Sequence, residues 1–210
     1  MNTYFRKLGA GFSGLLQFNG RTALHDFWPY AITIFCVFYG LTSLGGMWIG
    51  FNVAGDVYEF ARENPDAVIE RRWPGGFGYR VEGMPADFYP YFRTLLFASL
   101  IGEAIVAGLL LAAIVRRLHD TGKSGFWSLI PVPLAAYGTF TMDQLFARFL
   151  TVETFTSDTF PIQPFITDFM LGMISNLLWL AAMIVLIIML CGRGTPGPNR
   201  FGPQPVRIQG

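Results

Sequence analysis

Charge is scarce in this chain of 210 residues: Asp, Glu, Lys and Arg together make 14%, where soluble domains carry about a quarter. That shortage excludes an ordinary soluble globule. Cysteine is rarer still, and Cys36 and Cys191 each sit inside an apolar run, so neither a disulfide framework nor a cysteine-based zinc site is available. Two histidines, His25 and His119, are too few for a histidine-rich metal site. Also missing are a Walker loop, a G-x-S-x-G elbow, an H-E-x-x-H helix and a Rossmann glycine fingerprint, so no cofactor is called for. What is abundant is apolar: 52% hydrophobic residues, 21 Phe among them, and a mean hydropathy of +0.43. That composition excludes disorder, a collagen-like repeat and a nucleic-acid-binding tail.

A bilayer core about 30 Å thick requires roughly 20 apolar residues in a helix. Four windows qualify: 28–51, flanked by aromatics; 94–115, with Glu103 as its one charge; 126–142, short and holding Pro131 and Pro133; and 169–191, the most apolar. The prolines predict a kink or a re-entrant element in the third. Basic residues then set the orientation. The segments before the first span, between the second and third, and after the last hold nine Lys and Arg against two acids, Asp26 and Asp120, whereas the other loops hold six against eleven. The expected fold is therefore an all-α integral membrane protein with four transmembrane helices, both termini cytoplasmic, and short interfacial helices. It forms a single membrane domain with external loops over 52–90 and 143–168 and a cytoplasmic tail over 192–210.

The stretch after Arg6 and Lys7 is Gly-rich and lacks a small-x-small cleavage site, so it does not read as a signal peptide. Tyr4, Phe5, Leu8, Phe12, Leu15 and Leu16 instead predict one face of a short surface helix, with Arg6 and Lys7 toward lipid phosphates. In the long outer loop, Pro74-Gly75-Gly76 reads as a turn. In the second, Met142, Leu145, Phe146, Phe149 and Leu150 predict a separate interfacial helix.

Three polar segments abut the inner ends of the spans. The first runs Asn19-Gly20-Arg21 to Phe27-Trp28. The second is Arg116-Arg117-Leu118-His119-Asp120-Thr121-Gly122-Lys123-Ser124-Gly125-Phe126-Trp127, short enough to force a tight hairpin, with Gly122 and Gly125 permitting positive φ and Ser124 able to cap the next helix. The third is Gly197-Pro198-Asn199-Arg200-Phe201-Gly202-Pro203. Together they resemble the bacterial inner-membrane family catalogued as domain of unknown function 805, over residues 18–203. That family brings no established activity, so the resemblance implies topology and a place in the bacterial inner (plasma) membrane without naming a function.

Packed helices are narrow, so all three segments are expected to converge on one cytoplasmic site. Arg21, Asp26, Arg116, Arg117, His119, Asp120, Ser124, Asn199 and Arg200 are its candidate ligand-binding residues. Asp26 and Asp120 are expected to pair with arginines, Asn199 to tie the tail to the hairpin, and unpaired guanidiniums to hold an anionic lipid headgroup or another anion. The bland reading keeps the pairs without the anion. Within the membrane, Glu103, Asn176 and Ser43 fall at similar depth and could share a polar layer, a carboxylate there being protonated, partnered or beside water. A stripe of Ala104, Gly108 and Ala112, and the pair Gly46 and Gly50, suit close helix packing. Three roles follow: a non-enzymatic membrane component that organises lipid or protein partners, which is favoured; a transporter or channel using Glu103, which calls for a homo-oligomer because four spans enclose only a narrow pore; or a lipid enzyme using His119 and Asp120. No residue is assigned as catalytic.

Overall fold

A computed structural model describes residues 3–73, 76–81, 89–151 and 162–206 and shows a mostly helical chain. A short helix, α1 (Thr3–Ser13), leads into the long α2 (Leu24–Glu63). A two-stranded antiparallel hairpin follows, β1 (Val68–Trp73) and β2 (Gly76–Val81), and then come α3 (Tyr89–Asp120), α4 (Pro131–Thr151) and α5 (Ile162–Cys191). Three of these are long and apolar enough to cross a membrane: α2, α3 from Arg93, and α5 from Phe165.

Several expectations need correction. The helix α2 carries the whole of the first expected span, 28–51, and runs on past Phe51, because the first proline beyond it is Pro65; it persists to Glu63 and closes at Asn64, the residue that Pro65 disfavours in the α region. At 40 residues it is about 60 Å long, twice a bilayer core. The all-α expectation gains the hairpin, whose strands meet with Trp73 opposite Gly76. Pro74 and Gly75, expected in a turn, lie outside the described residues, as do 82–88 and 152–161 of the two expected outer loops.

The third expected span is displaced as well. Residues Gly125–Leu129 form a 3-10 turn and α4 opens at Pro131. The proline does not kink the helix, because at the first helical position its missing N–H has no intrahelical partner to lose, and Pro133 lies in the same first turn. Nothing breaks the helix before Thr151, so Met142 to Leu150 continue α4 instead of forming a second helix. With Asp143, Gln144 and Arg148 in that half, α4 spans about 32 Å without matching the apolarity of the other three.

One buried apolar cluster lies at one end, and Thr141, Leu145 and Ser175 are buried beyond it in α4 and α5. Phe27, Tyr30, Ala31 and Ile34 of α2 meet Leu110, Ala113 and Leu118 of α3 and Leu186 and Leu190 of α5 in one buried cluster. Since lipid tails are as apolar as Leu, close van der Waals fit is what holds such a cluster. Of the small-residue patterns, Ala112 is fully buried, but Gly46, Gly50 and Gly108 have open space beside them, whereas a Cβ on Gly102 would strike the Phe38 ring at 2.5 Å. Away from the cluster α2 is largely bare, with Leu41, Leu44, Met47, Trp48 and Phe51 all exposed.

Candidate functional site

The three polar segments meet at the packed end. The hairpin starts with a Schellman stop to α3: Gly122, at φ +77°, donates to His119 O at 3.0 Å, and Lys123 N donates to Leu118 O at 2.9 Å. Ser124 accepts from Phe126 N at 3.3 Å, capping the 3-10 turn that leads to α4. The last carbonyl of α3, Asp120 O, is taken by the tail, through Thr195 N at 2.8 Å.

Asp120 is the centre of the arrangement. Its Oδ1 accepts from Arg21 Nε at 3.0 Å and Nη2 at 2.8 Å, and its Oδ2 accepts from Arg117 Nη1. Both arginines are shut away from solvent, with 1% and 0% of their side chains exposed. Each also reaches for backbone. Arg21 donates to Thr195 O at 2.6 Å and Gly197 O at 2.7 Å, which fixes the tail; Arg117 donates to Leu190 O at 2.9 Å and to Gly192 O. Leu190 O is one of the four carbonyls that α5 cannot satisfy internally, and a buried cation there also meets the negative end of the helix dipole.

Arg116 closes the other side without a carboxylate. Its Nη1 donates to Gly14 O at 2.6 Å and to Gln17 O, and its Nε to Thr22 Oγ1 at 3.1 Å, while Thr22 N returns a bond to Arg116 O at 3.1 Å. The chain just past α1 is thereby strapped to α3. Glycine is required on both sides of the clamp. A Cβ on Gly14 would lie 2.7 Å from Arg116 Nη2, and one on Gly194 would lie 2.3 Å from Asp120 Oδ2.

The tail folds on itself and onto His119. Asn199 and Gly202 exchange backbone hydrogen bonds of 3.0 Å, Phe201 N donates to Asn199 Oδ1 at 2.9 Å, and Asn199 Nδ2 donates to His119 O at 2.9 Å. The Phe201 ring stacks on the His119 imidazole at 3.8 Å and 5°, while His119 Nδ1 donates to Gly20 O at 3.3 Å.

Two pairings differ from expectation. Among the described residues Asp26 meets no arginine; it lies 3.2 Å from Lys7 Nζ. Lys7 is drawn there by Pro29, which has no N–H for the carbonyl four residues back, His25 O, so Lys7 donates to that oxygen at 2.9 Å. Arg200 meets neither aspartate and instead places its guanidinium 4.6 Å from the Phe201 ring centroid. The guanidiniums of Arg21 and Arg117 are filled by protein acceptors rather than left open for an anion.

No polar layer joins the residues expected within the membrane. Asn176 donates back to Gly172 O in its own helix at 2.8 Å and faces Gly138 of α4. Glu103 and Ser43 are exposed, and no hydrogen bond or ion pair holds either side chain among the described residues. Sequence reasoning missed Lys7, Gly14, Thr22 and Thr195 as members of the clamp. Only Lys7 left a trace, in the orphan carbonyl that Pro29 creates.

The family model described as a protein of unknown function, DUF805, matches residues 15–203, which take in the whole clamp except Lys7 and Gly14. No curated protein and no solved structure matches the chain. The chain belongs to the DUF805 family.

Proposed function

We propose that this DUF805 member is a multi-pass protein of the bacterial inner membrane with four spans and both termini in the cytoplasm, and that it is a non-enzymatic component organising lipid or protein partners at its cytoplasmic face. The segregation of nine basic residues onto the segments of the packed end supports that orientation. The observation that carries the role is the state of the clamp. His119 is turned to Gly20 and Phe201 while Asp120 is turned to Arg21 and Arg117, so the neighbours do not form an acid–base pair. Topology is tested with reporter fusions. Fusions after Lys123 and Gly210 are expected to read cytoplasmic and those at Gly75 and Ser157 external; a cytoplasmic signal at Ser157 overturns the fourth crossing by α4.

A second reading, a homo-oligomeric transporter, is favoured by one observation: the Glu103 carboxylate stands exposed on α3 with no partner among the described residues. It requires a flux in proteoliposomes that Glu103→Gln abolishes.

A further inference from the structure

Beside the clamp, and separate from its filled core, lies a cavity of about 360 Å³ enclosed by α1, the segment 17–23, the start of α2 and the tail at Pro205 and Val206. That volume is at the lower end of the range for small-molecule sites. It is lined by the apolar Phe27, Tyr30 and Ala113, by the cations of Lys7, Arg116 and Arg21, the last already engaged with Asp120 and the tail, and by the carboxylate of Asp26.

Both signs of charge there have unused capacity. Arg116 commits Nε and Nη1 to protein acceptors, but its Nη2 donates to nothing among the described residues. Asp26 accepts no hydrogen bond at either carboxylate oxygen among the described residues, and its Oδ1, shut off from solvent, has only the Lys7 ammonium close by. A buried carboxylate oxygen that accepts no hydrogen bond is unfavourable, whereas Arg116 Nη2 is open to solvent and so to a ligand. A simple anion entering the cavity would answer Arg116 and repel Asp26. A simple cation would do the reverse. A molecule carrying an anionic group and a primary ammonium answers both at once.

We propose that this cavity binds a phosphoethanolamine-type zwitterion, its phosphate on Arg116 Nη2 and Lys7 and its ammonium on Asp26. A phosphate oxygen takes a charge-assisted hydrogen bond from the remaining Arg116 Nη2. The ammonium supplies the N–H groups that the accessible Asp26 Oδ2 lacks, which a quaternary ammonium does not. The same headgroup chemistry occurs on a membrane lipid and on a soluble phosphodiester, and a lipid suits the surroundings: Phe5, Phe12, Leu16 and Phe18 are all exposed on and just after α1, an apolar rim at the depth where the membrane reading above sets the headgroups. The site rests on that reading but fails separately from it, since topology is measured without ligand.

The test is lipid retention by the purified full-length protein, read by native mass spectrometry after exchange in mixed micelles of phosphatidylethanolamine, phosphatidylcholine and phosphatidylglycerol, with soluble glycerophosphoethanolamine as competitor. Phosphatidylethanolamine is expected to be retained about tenfold over the other two, the size of one charge-assisted hydrogen bond. Asp26→Asn should erase that preference. Ala10→Trp, which fills the cavity from α1 and leaves every charged side chain in the sequence, should remove bound lipid while the unfolding temperature stays unchanged, so a folding defect is told apart from a lost site. Binding of glycerophosphoethanolamine at millimolar concentration with no lipid retained would assign the site to the soluble compound. Equal retention of all three lipids with no effect of the competitor, or a preference that survives both substitutions, would overturn the proposal.

Discussion

Asp120 holds two guanidiniums, and neither has an alternative carboxylate within the clamp. Removing its charge leaves Arg21 and Arg117 buried beside an amide that offers one acceptor oxygen in place of two. Breaking a buried ion pair from one side destabilises by about 3–5 kcal/mol, because the stranded charge keeps its desolvation penalty. Asp120→Asn is therefore expected to lower the unfolding temperature in detergent sharply. Arg117→Lys should be intermediate: an ammonium retains the charge but has three donors on one atom, and it cannot reach Thr22 O, Leu190 O, Gly192 O and Asp120 together as the planar fork does. Fluorescence-detected size-exclusion after heating ranks the two, and an Asp120→Asn protein as stable as the parent would show that the carboxylate does not hold the clamp together. At this scale the sequence is informative about who takes part and poor about who pairs. Scarce charges and polar groups beside apolar spans identify themselves, so Arg21, Arg117, His119, Asp120 and Asn199 stand out from the chain by residue type and position alone. Their partners are mostly backbone carbonyls, which every residue has and no residue type signals. That is why the arginines read as available for an anion.

The clearest lesson at the level of elements concerns α1. Its apolar residues predict a helix on the membrane surface, and α1 does form, but it ends at Ser13 and is held by α2 rather than lying free. Tyr4 donates to Thr33 Oγ1 at 2.5 Å, the Phe12 ring meets Tyr30 edge-on at 5.3 Å, and Gly11 backs directly onto the Tyr30 ring. Glycine at position 11 reads in sequence as a weakness in a helix, by about 1 kcal/mol. In the structure it is the contact surface. A Cβ there would lie 2.3 Å from the Tyr30 ring, and Tyr30 is itself fixed by donating to Leu109 O at 2.8 Å, so it has little room to yield. Gly11→Leu should lift α1 off α2, whereas Gly9→Leu, at a position with open space beside it, should not. Limited proteolysis between residues 14 and 22 reads the difference: faster cleavage for Gly11→Leu alone. Equal cleavage of the two variants would mean that α1 is docked by something other than the glycine contact. Pro131 carries the same lesson in reverse, since a proline in an apolar window reads as a kink until the helix is seen to begin on it.

Over the whole molecule, Thr141, Leu145 and Ser175 are buried along α4 and α5, but the buried charges gather at the clamp end. The buried apolar cluster lies there, the buried side chains of Arg21, Arg116 and Arg117 lie there, and the opposite half of α2 is exposed along its length. The clamp end depends on whatever closes it, and the closing piece is the tail. It contributes the Thr195 and Gly197 carbonyls to Arg21, Gly192 O to Arg117, and Thr195 N to the last carbonyl of α3. Hydrogen bonds to a charged group contribute about 1.5–3 kcal/mol each. Deleting residues 192–210 takes three such acceptors from two buried cations and also exposes the face of His119 that Phe201 covers, so the loss should exceed that of any single substitution in the clamp. Deleting 207–210 removes none of these contacts. The expected result is a short truncation that behaves as the full chain and a long one that loses its cooperative unfolding transition, with the cysteine-accessibility pattern of α2 and α3 changing near Phe27 and Leu118 before it changes near Trp48. If the long truncation unfolds at the temperature of the parent, the tail lies on the bundle without closing it, and the packed cluster alone holds the helices at that end.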